Sequence, residues 1–299
     1  MRTATAARHN YRRMKMADRL LGKEVNQALL EDLKARSEEL QRADIEPCLA
    51  VVRVGEREED LSYERGALKK CEKSGVICTK RVFPADVTED ELLKTIRSLN
   101  EDQSVHGILL FRPLPKHLNE RKIINEIAPA KDVDGVTDIS MAGVYSGSDR
   151  GFPPCTAQAV MEILHHYGIP VEGKKAVIIG RSLVIGRPVA MMLMKKNATV
   201  TICHTRTKDP AAEARQADIL VAAAGRAGLV GSSYTNPDQT VIDVGIHVND
   251  EGKMCGDVAF DEVEPAVRAI TPVPGGVGSV TTTVLAEHVI RAAERTLSK

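Results

Sequence analysis

The N-terminal half of the chain alternates between helical and strand-like arrangements of apolar residues. Val25 to Leu40 has one apolar and one charged face, which predicts a helix. Cys48 to Val52 is a short apolar run that stops before Gly55, as a buried strand would. The predicted elements are, in chain order, a helix over 25–40, a strand over 48–52, a helix over 60–74, a short strand over 81–83, a helix over 88–99 and a strand over 107–111. This alternation predicts a mostly parallel sheet.

A second set of alternating elements follows a stretch without clear periodicity. Residues 128–156 are rich in Gly, Pro, Asp and Ser, and we expect them to form a long functional loop. Beyond it the pattern predicts helices over 156–167, 188–195 and 281–293 and buried strands over 175–179, 199–203, 219–223 and 241–244. The predicted fold class is therefore α/β.

The length of 299 residues is typical of two domains. We expect an extension over 1–17, a first domain over 18–154 that residues 283–299 rejoin, and a second domain over 155–282. Residues 1–13 hold four arginines and no acidic residue, as a mitochondrial transit peptide would, but Met14 and Met16 follow at once. We expect a disordered extension, or a start assigned too early, rather than a targeting segment.

Composition disfavours several classes of protein. Lys plus Arg equals Asp plus Glu at 41 each, so net charge gives no reason to expect nucleic-acid or membrane binding. Trp is absent and aromatic residues make up 3%, which disfavours a stacking platform for single-stranded nucleic acid. The six cysteines form no CxxC pair, so no metal site is predicted. No apolar run approaches the roughly 20 residues that span a bilayer, and we expect a cytoplasmic protein with reduced thiols.

A glycine-containing turn joins the first strand of the second unit to the next helix. The order is strand, Gly180, a five-residue turn, Gly186 and a helix with Pro188 in its first turn. A small residue at the strand end lets the backbone approach a pyrophosphate, and the helix N-terminus offers free N–H groups. The turn, including Arg181 and Ser182, is thus a candidate dinucleotide site. Its spacing is not the common G-x-G-x-x-G, so a plain glycine turn stays open as the alternative.

The end of the following strand indicates which dinucleotide binds. His204, Thr205 and Arg206 come there, where an NAD-binding unit has an acidic residue for the free ribose hydroxyl. No acid is present, and the guanidinium groups of Arg206 and Arg181 suit a 2′-phosphate. We therefore expect NADP, with NAD as the alternative. A solvated surface charge is the other interpretation of Arg206.

Five motifs together resemble one enzyme family. One of them, Thr271 to Gly278, is rich in Gly and Pro, which indicates backbone close to a ligand or else a rigid turn between domains. The motifs are, in chain order, Pro113–His117, Lys131–Gly135, Pro154–Thr156, Gly180–Pro188 and Thr271–Gly278. From about residue 18 to the C-terminus, the chain resembles methylenetetrahydrofolate dehydrogenase/methenyltetrahydrofolate cyclohydrolase.

The resemblance implies a fold and a reaction. The fold is a folate-binding catalytic domain and a Rossmann-type nucleotide domain with a cleft between them, assembled as a homodimer. The dehydrogenase step moves hydride from the methylene carbon of 5,10-methylenetetrahydrofolate to the nicotinamide, which leaves the methenyl cation. In bifunctional members water then opens that cation to 10-formyltetrahydrofolate.

The resemblance also implies roles for individual residues. Asp134 matches the acid that binds the pterin edge, where one carboxylate accepts both an amide N–H and an amine. Tyr63 matches the tyrosine that packs on the substrate, and these two are the expected catalytic residues. The other expected substrate-binding residues are Phe111, Arg112, Pro274 and Gly275, and the expected nucleotide-binding residues further along the chain are Gly245, Ile246, Gly276, Val277 and Thr281. A turn-forming role for Asp134 beside Gly135, and a surface role for Tyr63, are the alternatives.

The chain departs from the family at two positions. Bifunctional members carry a lysine four residues after the tyrosine, on the same helical face, and here that position is Ala67. The family's glutamine ahead of the Pro-x-Pro motif is Phe111. Neither a methyl group nor a phenyl ring can activate water, whereas hydride transfer needs mainly alignment of two carbons. We therefore expect a dehydrogenase that has lost the cyclohydrolase activity.

Two other hypotheses stay open. In a bifunctional enzyme, Lys70 or Arg112 would replace the missing lysine, although Lys70 lies about 10.5 Å along the helix axis from Tyr63 and a guanidinium is a poor base. A non-catalytic folate- or nucleotide-binding protein is the alternative of another class. The intact motifs at 180–188 and 271–278 weigh against that alternative.

Overall fold

The computed structural model describes residues 16–297 and contains two main sheets flanked by helices. The strands are β1 (Asp18–Arg19), β2 (Cys48–Val54), β3 (Ile77–Phe83), β4 (Gly107–Leu110), β5 (Lys175–Ile179), β6 (Thr199–Cys203), β7 (Ile219–Ala222), β8 (Thr240–Asp243), β9 (His247–Val248), β10 (Met254–Cys255) and β11 (Ala269–Ile270). The helices are α1 (Gly22–Arg42), α2 (Glu58–Lys73), α3 (Glu89–Glu101), α4 (Glu120–Glu126), α5 (Asp138–Ser146), α6 (Cys155–His166), α7 (Gly186–Lys195), α8 (Pro210–Ala214), α9 (Phe260–Val263) and α10 (Val277–Leu297).

The first sheet has the order β3-β2-β4, and its strands are parallel. Every residue of β2 is buried, as expected for the central strand of a parallel sheet covered on both faces. Helix α3 begins where the sequence predicts, because the Thr88 hydroxyl accepts a hydrogen bond from the Glu91 N–H (3.3 Å). The carboxyl ends of β2 and β4 therefore lie side by side, close to the start of α2.

The second sheet has the order β1-β11-β8-β7-β5-β6, again with parallel strands. Its edge strand β1 was expected in the first domain. Instead, the Asp18 N–H donates to the Arg268 carbonyl and the Leu20 N–H to that of Ile270, both at 2.9 Å, so this segment extends the second sheet. Of the predicted extension, residues 1–15 lie outside the described residues, and Ala17 is buried.

Helix α10 connects the two sets of elements, since it packs against α1, α2 and α6. It begins at Val277, four residues before the predicted start at 281. Between residues 16 and 297, no helix is both long and apolar enough to cross a membrane.

The predicted loop over 128–156 was wrong in one respect, because it contains α5. The Thr137 hydroxyl caps this helix by accepting from the Ser140 N–H (3.1 Å). Helix α5 was not predicted because its residues are mostly small or apolar and form no distinct apolar face. The segment therefore has no helical periodicity of apolar residues. Gly147 ends it in the left-handed conformation (φ 69°).

Candidate functional site

The three charged residues of the Lys131–Gly135 motif have different contacts. The Lys131 amine donates to two main-chain carbonyls at the end of α3, at 2.8 and 2.6 Å. The buried Asp132 carboxylate accepts from the backbone N–H groups four and five residues further on, at 3.0 and 2.8 Å. Asp134 accepts neither of these hydrogen bonds. Asp132 therefore shapes the turn, and the carboxylate of Asp134 is left for a ligand.

Asp134 lies in a pocket of about 300 Å³ beside the carboxyl end of β4. Tyr63 from α2 lines the same pocket, together with Phe111 and Arg112 that follow β4. These four residues were predicted to bind substrate, and the structure brings them together. Pro274 and Gly275 do not line this pocket, and lie instead in a separate opening described below.

Tyr63 and Phe111 form one apolar wall of the pocket. Their ring centroids are 5.9 Å apart with the planes at 80°, an edge-to-face contact. Burial, with the nearby charge of Asp134, raises the pKa of the Tyr63 phenol well above its ordinary value. Tyr63 is therefore a neutral hydroxyl at physiological pH and cannot act as a base.

Arg112 is the cation nearest to Asp134 in this pocket. Its Nη2 atom lies 3.7 Å from Oδ2 of Asp134, and both side chains are partly exposed. Burial raises the pKa of Asp134 to about 6, an effect that Arg112 opposes and the charge of Asp132 reinforces. The carboxylate is therefore mostly ionised at neutral pH, and it can accept hydrogen bonds from a pterin edge.

Ala67, at the position where the resemblance implies a lysine, lies in the hydrophobic core. Ala67 is 1% exposed and belongs to the same hydrophobic cluster as Phe111, with Tyr63 packed against it. Lys70 is not among the residues that line the pocket. Burial and the neighbouring lysines on α2 lower the pKa of Lys70. The structure thus gives Lys70 no contact through which to replace the missing amine, whereas Arg112 does line the pocket.

The predicted dinucleotide turn has the backbone that such a ligand needs. Gly180, at the end of β5, has φ +131°, and a Cβ there would collide with the Ala223 carbonyl. The Ser182 hydroxyl accepts from the N–H groups of Ile185 (3.1 Å) and Gly186 (3.4 Å), so it shapes the turn. Pro188 is buried in the first turn of α7. The N-terminus of α7 therefore faces an uncrowded strand end, as phosphate binding requires.

The residues predicted to select the dinucleotide lie at the adjacent strand end, since β5 and β6 pair in parallel. The His204 Nδ1 atom accepts from the Arg206 N–H (3.1 Å), which fixes the backbone of this loop. The side chains of Arg181, Thr205 and Arg206 are exposed. Within residues 16–297, neither guanidinium has a carboxylate partner within 4.0 Å, so both are available to a phosphate.

A further opening, of about 250 Å³, combines two other predicted segments. It is lined by Gly245 and Ile246 after β8 and by Pro274 to Gly276 before α10. Val277 and Thr281 were also expected to bind the nucleotide, but their side chains are buried in α10 and do not line this opening. Their placement supports a packing role, because Thr281 Oγ1 donates to the Val277 carbonyl (3.4 Å).

Two buried acids that sequence reasoning missed organise the nucleotide side. Asp243 accepts from the backbone N–H groups of Gly245, Asp257 and Val258, each at 3.0 Å. Burial raises the pKa of Asp243 to about 6, although these N–H groups oppose the rise. The one signal in the sequence is an acid placed at the end of a buried strand.

Asp257 holds the loop after β7 against the same region. Its carboxylate accepts from three successive N–H groups, those of residues 224–226, at 2.5, 3.0 and 2.9 Å. Its Oδ1 atom also lies 2.7 Å from Nε2 of His247. Asp257 is fully buried, so these contacts fix the loop rather than bind a ligand.

Arg112 connects the substrate pocket to the dinucleotide turn. It also lines an adjoining opening of about 430 Å³, whose other walls include Gly135 and Pro154 and, from the turn, Leu183 and Val184. The carboxylate pocket and the phosphate turn therefore share one continuous surface. Such an arrangement suits transfer of a hydride between two bound molecules.

Comparison with known proteins identifies the family. Residues 20–134 match the catalytic domain of tetrahydrofolate dehydrogenase/cyclohydrolase, and residues 154–297 match its NAD(P)-binding domain. The bifunctional protein FolD of Carboxydothermus hydrogenoformans is 53% identical over 281 residues, which are 93% of this chain and 98% of that protein.

Solved structures agree with the sequence match. The bifunctional FolD methylenetetrahydrofolate dehydrogenase/cyclohydrolase of Campylobacter jejuni has a TM-score of 0.90 at 42% identity, covering 93% of this chain and 98% of that one. The Trypanosoma brucei dehydrogenase-cyclohydrolase, solved with NADP and an inhibitor, has a TM-score of 0.88 at 32% identity, covering 95% and 100%. The predicted α/β class with a Rossmann-type NAD(P)-binding domain is confirmed, as is an NAD(P)-dependent dehydrogenase. The chain belongs to the tetrahydrofolate dehydrogenase/cyclohydrolase family.

Proposed function

We propose that this protein is an NADP-dependent 5,10-methylenetetrahydrofolate dehydrogenase without the lysine-dependent cyclohydrolase reaction. The observation that carries the proposal is the pocket that combines the available Asp134 carboxylate with an apolar wall of Tyr63 and Phe111. Ala67, which is 1% exposed, occupies the position at which the resemblance implies a lysine in bifunctional members. The pocket retains the groups that would hold folate and lacks that amine for handling water.

The dinucleotide turn supports NADP as the cofactor. Gly180 and the N-terminus of α7 would hold the pyrophosphate, and Arg181 with Arg206 would bind the 2′-phosphate. The bound nicotinamide supplies the hydride acceptor. The Trypanosoma brucei relative, which was solved with NADP, agrees with this choice.

In the proposed reaction the protein mainly binds and orients. Asp134 accepts hydrogen bonds from the pterin edge, and Tyr63 packs on the substrate as a neutral phenol. One C–H bond of the methylene bridge breaks, its electron pair leaves as hydride, and a neighbouring folate nitrogen donates its lone pair to the carbon. No side chain needs to remove a proton, so the reaction does not depend on the missing lysine.

Cyclohydrolysis makes a different demand, because a water molecule must lose a proton as it attacks the methenyl carbon. The groups that face the pocket from positions 63 and 111 are a phenol with a raised pKa and a phenyl ring. Neither accepts a proton at physiological pH. Of the carboxylates that line the pocket, Asp60 accepts two hydrogen bonds from Arg57, and Glu59 is exposed to solvent. Asp134 is assigned to the pterin edge, so the proposal leaves no carboxylate to activate water. The methenyl cation is therefore expected to leave the enzyme intact.

A second candidate function is the bifunctional enzyme. The names of the relatives fit this alternative better than a dehydrogenase alone, since the 53% identical protein is called bifunctional. In this chain Arg112 would then take the place of the lysine, because it lines the pocket 3.7 Å from Asp134. A guanidinium stays protonated, so it can hold water or stabilise charge but cannot act as the base.

The dehydrogenase activity is tested by incubating the purified protein with 5,10-methylenetetrahydrofolate and either NADP⁺ or NAD⁺. We expect folate-dependent formation of reduced nucleotide, faster with NADP⁺. Binding of both ligands without turnover would contradict an enzyme and would favour the non-catalytic binding protein. The predicted homodimer and cytoplasmic location remain proposals, and light scattering after size exclusion tests the first of them.

A further inference from the structure

A basic cavity lies apart from the folate and nucleotide residues discussed above. It has a volume of about 340 Å³ and is formed by α5, α6, the ends of α7 and α10, and residues 147–153. Asp149 is the one acidic residue in its lining. Five basic side chains line it, namely Arg150, Lys195, Lys196, Arg291 and Arg295.

Two of these arginines are fixed on one wall by an aromatic ring. Arg291 and Arg295 lie one turn apart on α10, and their guanidinium carbons are 5.7 and 4.4 Å from the centroid of the Phe152 ring. Phe152 is 1% exposed, so the ring is held by the core. Two positive charges at this spacing on a helix repel each other, yet both guanidinium groups line the same cavity.

Their positive charge is poorly compensated by the protein. Among residues 16–297, no carboxylate lies within 4.0 Å of Arg295, which has one long hydrogen bond to the Gly151 carbonyl (3.4 Å). Burial and the charge of Arg291 lower the pKa of Arg295, an effect that the charge of Asp149 opposes. The carboxylate nearest to Arg291 is Glu287, at 3.9 Å, and burial with the charge of Glu162 raises the pKa of Glu287 to about 7. A bound anion would relieve this excess of positive charge.

We propose that this cavity binds a small polyanion that carries phosphoryl groups, with Arg291 and Arg295 as its principal ligands. A planar guanidinium presents paired N–H groups that match two phosphate oxygens. Lys196 and Arg150 are exposed at the rim and add charge, whereas the Lys195 amine already donates to the Gly147 carbonyl (2.7 Å). The cavity suits a compact ligand such as pyrophosphate, free or as part of a nucleotide.

The test must exclude binding at the dinucleotide turn, which also attracts phosphate. Pyrophosphate is therefore titrated calorimetrically into the full chain and into its R291M/R295M variant, each saturated with NADP⁺ so that the dinucleotide turn is already occupied. We expect the wild-type chain to bind with a Kd of about 1 mM or tighter. The R291M/R295M variant should bind about tenfold more weakly, or weaker still. Absence of pyrophosphate binding to the NADP⁺-saturated wild type, or an unchanged Kd in R291M/R295M, would overturn the proposal.

Further experiments control for unfolding of the variants and test which class of anion the cavity binds. If the added methionines unfold the protein, as circular dichroism would show, K196M/R150M at the rim replaces them and should weaken binding by about threefold. An unchanged Kd there counts against the site. Citrate tests the ligand class, because equal affinity for a tricarboxylate would contradict phosphoryl recognition. Comparing ATP with pyrophosphate shows whether the phosphate is recognised free or within a nucleotide, and tighter binding of either is consistent with the site. Because no step needs folate turnover, failure of this site and failure of the proposed reaction are distinguishable.

Discussion

The rings of Tyr63 and Phe111 meet edge to face, with their centroids 5.9 Å apart. Ala67 lies one helical turn from Tyr63 in the same cluster, so the surface is apolar at the two positions where the family resemblance implies a lysine and a glutamine in bifunctional members. Among the charged residues that line the same pocket are Arg112 and Asp134, whose charged groups are 3.7 Å apart. The pocket therefore keeps groups suited to binding folate for hydride transfer, but has no side chain at positions 67 and 111 that could activate water.

Restoring the amine should restore the second reaction. In A67K, and more so in A67K/F111Q, we expect methenyl hydrolysis to rise by about a hundredfold or more, because proton transfer by a placed group contributes roughly a hundredfold to ten-thousandfold in rate. The measurement is the decay of methenyltetrahydrofolate absorbance with enzyme present. A67M is the matched control, since it has similar bulk without the amine. Equal rates for A67K and A67M would contradict the role assigned to this position.

Removing Arg112 should change how the enzyme responds to pH. Burial raises the pKa of Asp134 to about 6 and Arg112 holds it down, so R112M should raise it further. Because binding needs the ionised carboxylate, the acid limb of kcat/KM for folate should move up by about one pH unit. R112K should shift it less, since that variant keeps the charge. If the acid limb of kcat/KM is the same in R112M and the wild type, Arg112 does not lower the pKa of Asp134.

Much of the fold follows from the sequence, and the reason is periodicity. The fully buried β2 and the capped start of α3 were predicted correctly, because apolar runs and capping residues are local signals. Helix α5 was missed because it lacks an amphipathic period. The edge strand β1 was placed in the wrong unit, since its partner Ala269 is distant in sequence.

The site was predictable only in part, for a related reason. Motifs indicated Tyr63 and Asp134, but the contacts show that it is Asp132 that shapes the turn beside Asp134. The buried acids Asp243 and Asp257 resemble ordinary strand-end residues until their N–H partners are known. Roles that depend on long-range hydrogen bonds carry no local signature.

Asp257 should be a positioning residue for the nucleotide loops. Replacing it with Asn removes charged acceptors from buried N–H groups, so the free energy of unfolding should fall by about 2 kcal/mol. We also expect the Kd for NADP⁺ to rise about tenfold, because the loop over 224–226 loses its anchor. Urea denaturation measures the first effect, and isothermal titration calorimetry with NADP⁺ measures the second. D261N, at an exposed acid on α9, is the control and should change neither.

Arg206 should set the preference for NADP over NAD. Replacing it with Gln removes one charged partner of the 2′-phosphate, and the ratio of kcat/KM for NADP⁺ to that for NAD⁺ should fall by about tenfold. The NAD⁺ value itself should change little, which separates recognition from loss of structure. R215Q, at an exposed arginine outside the turn, is the charge-matched control. An unchanged ratio in R206Q would leave the guanidinium as a surface charge.

The most direct test of the account follows the methenyl product itself. The wild-type protein is supplied with 5,10-methenyltetrahydrofolate in a buffer of known hydrolysis rate, without nucleotide, and absorbance is followed over time. If the enzyme has lost the cyclohydrolase activity, methenyltetrahydrofolate should decay only at the buffer rate. The same preparation should form NADPH rapidly when it is given methylenetetrahydrofolate and NADP⁺. Decay that accelerates in proportion to enzyme concentration would contradict it and would establish the bifunctional alternative.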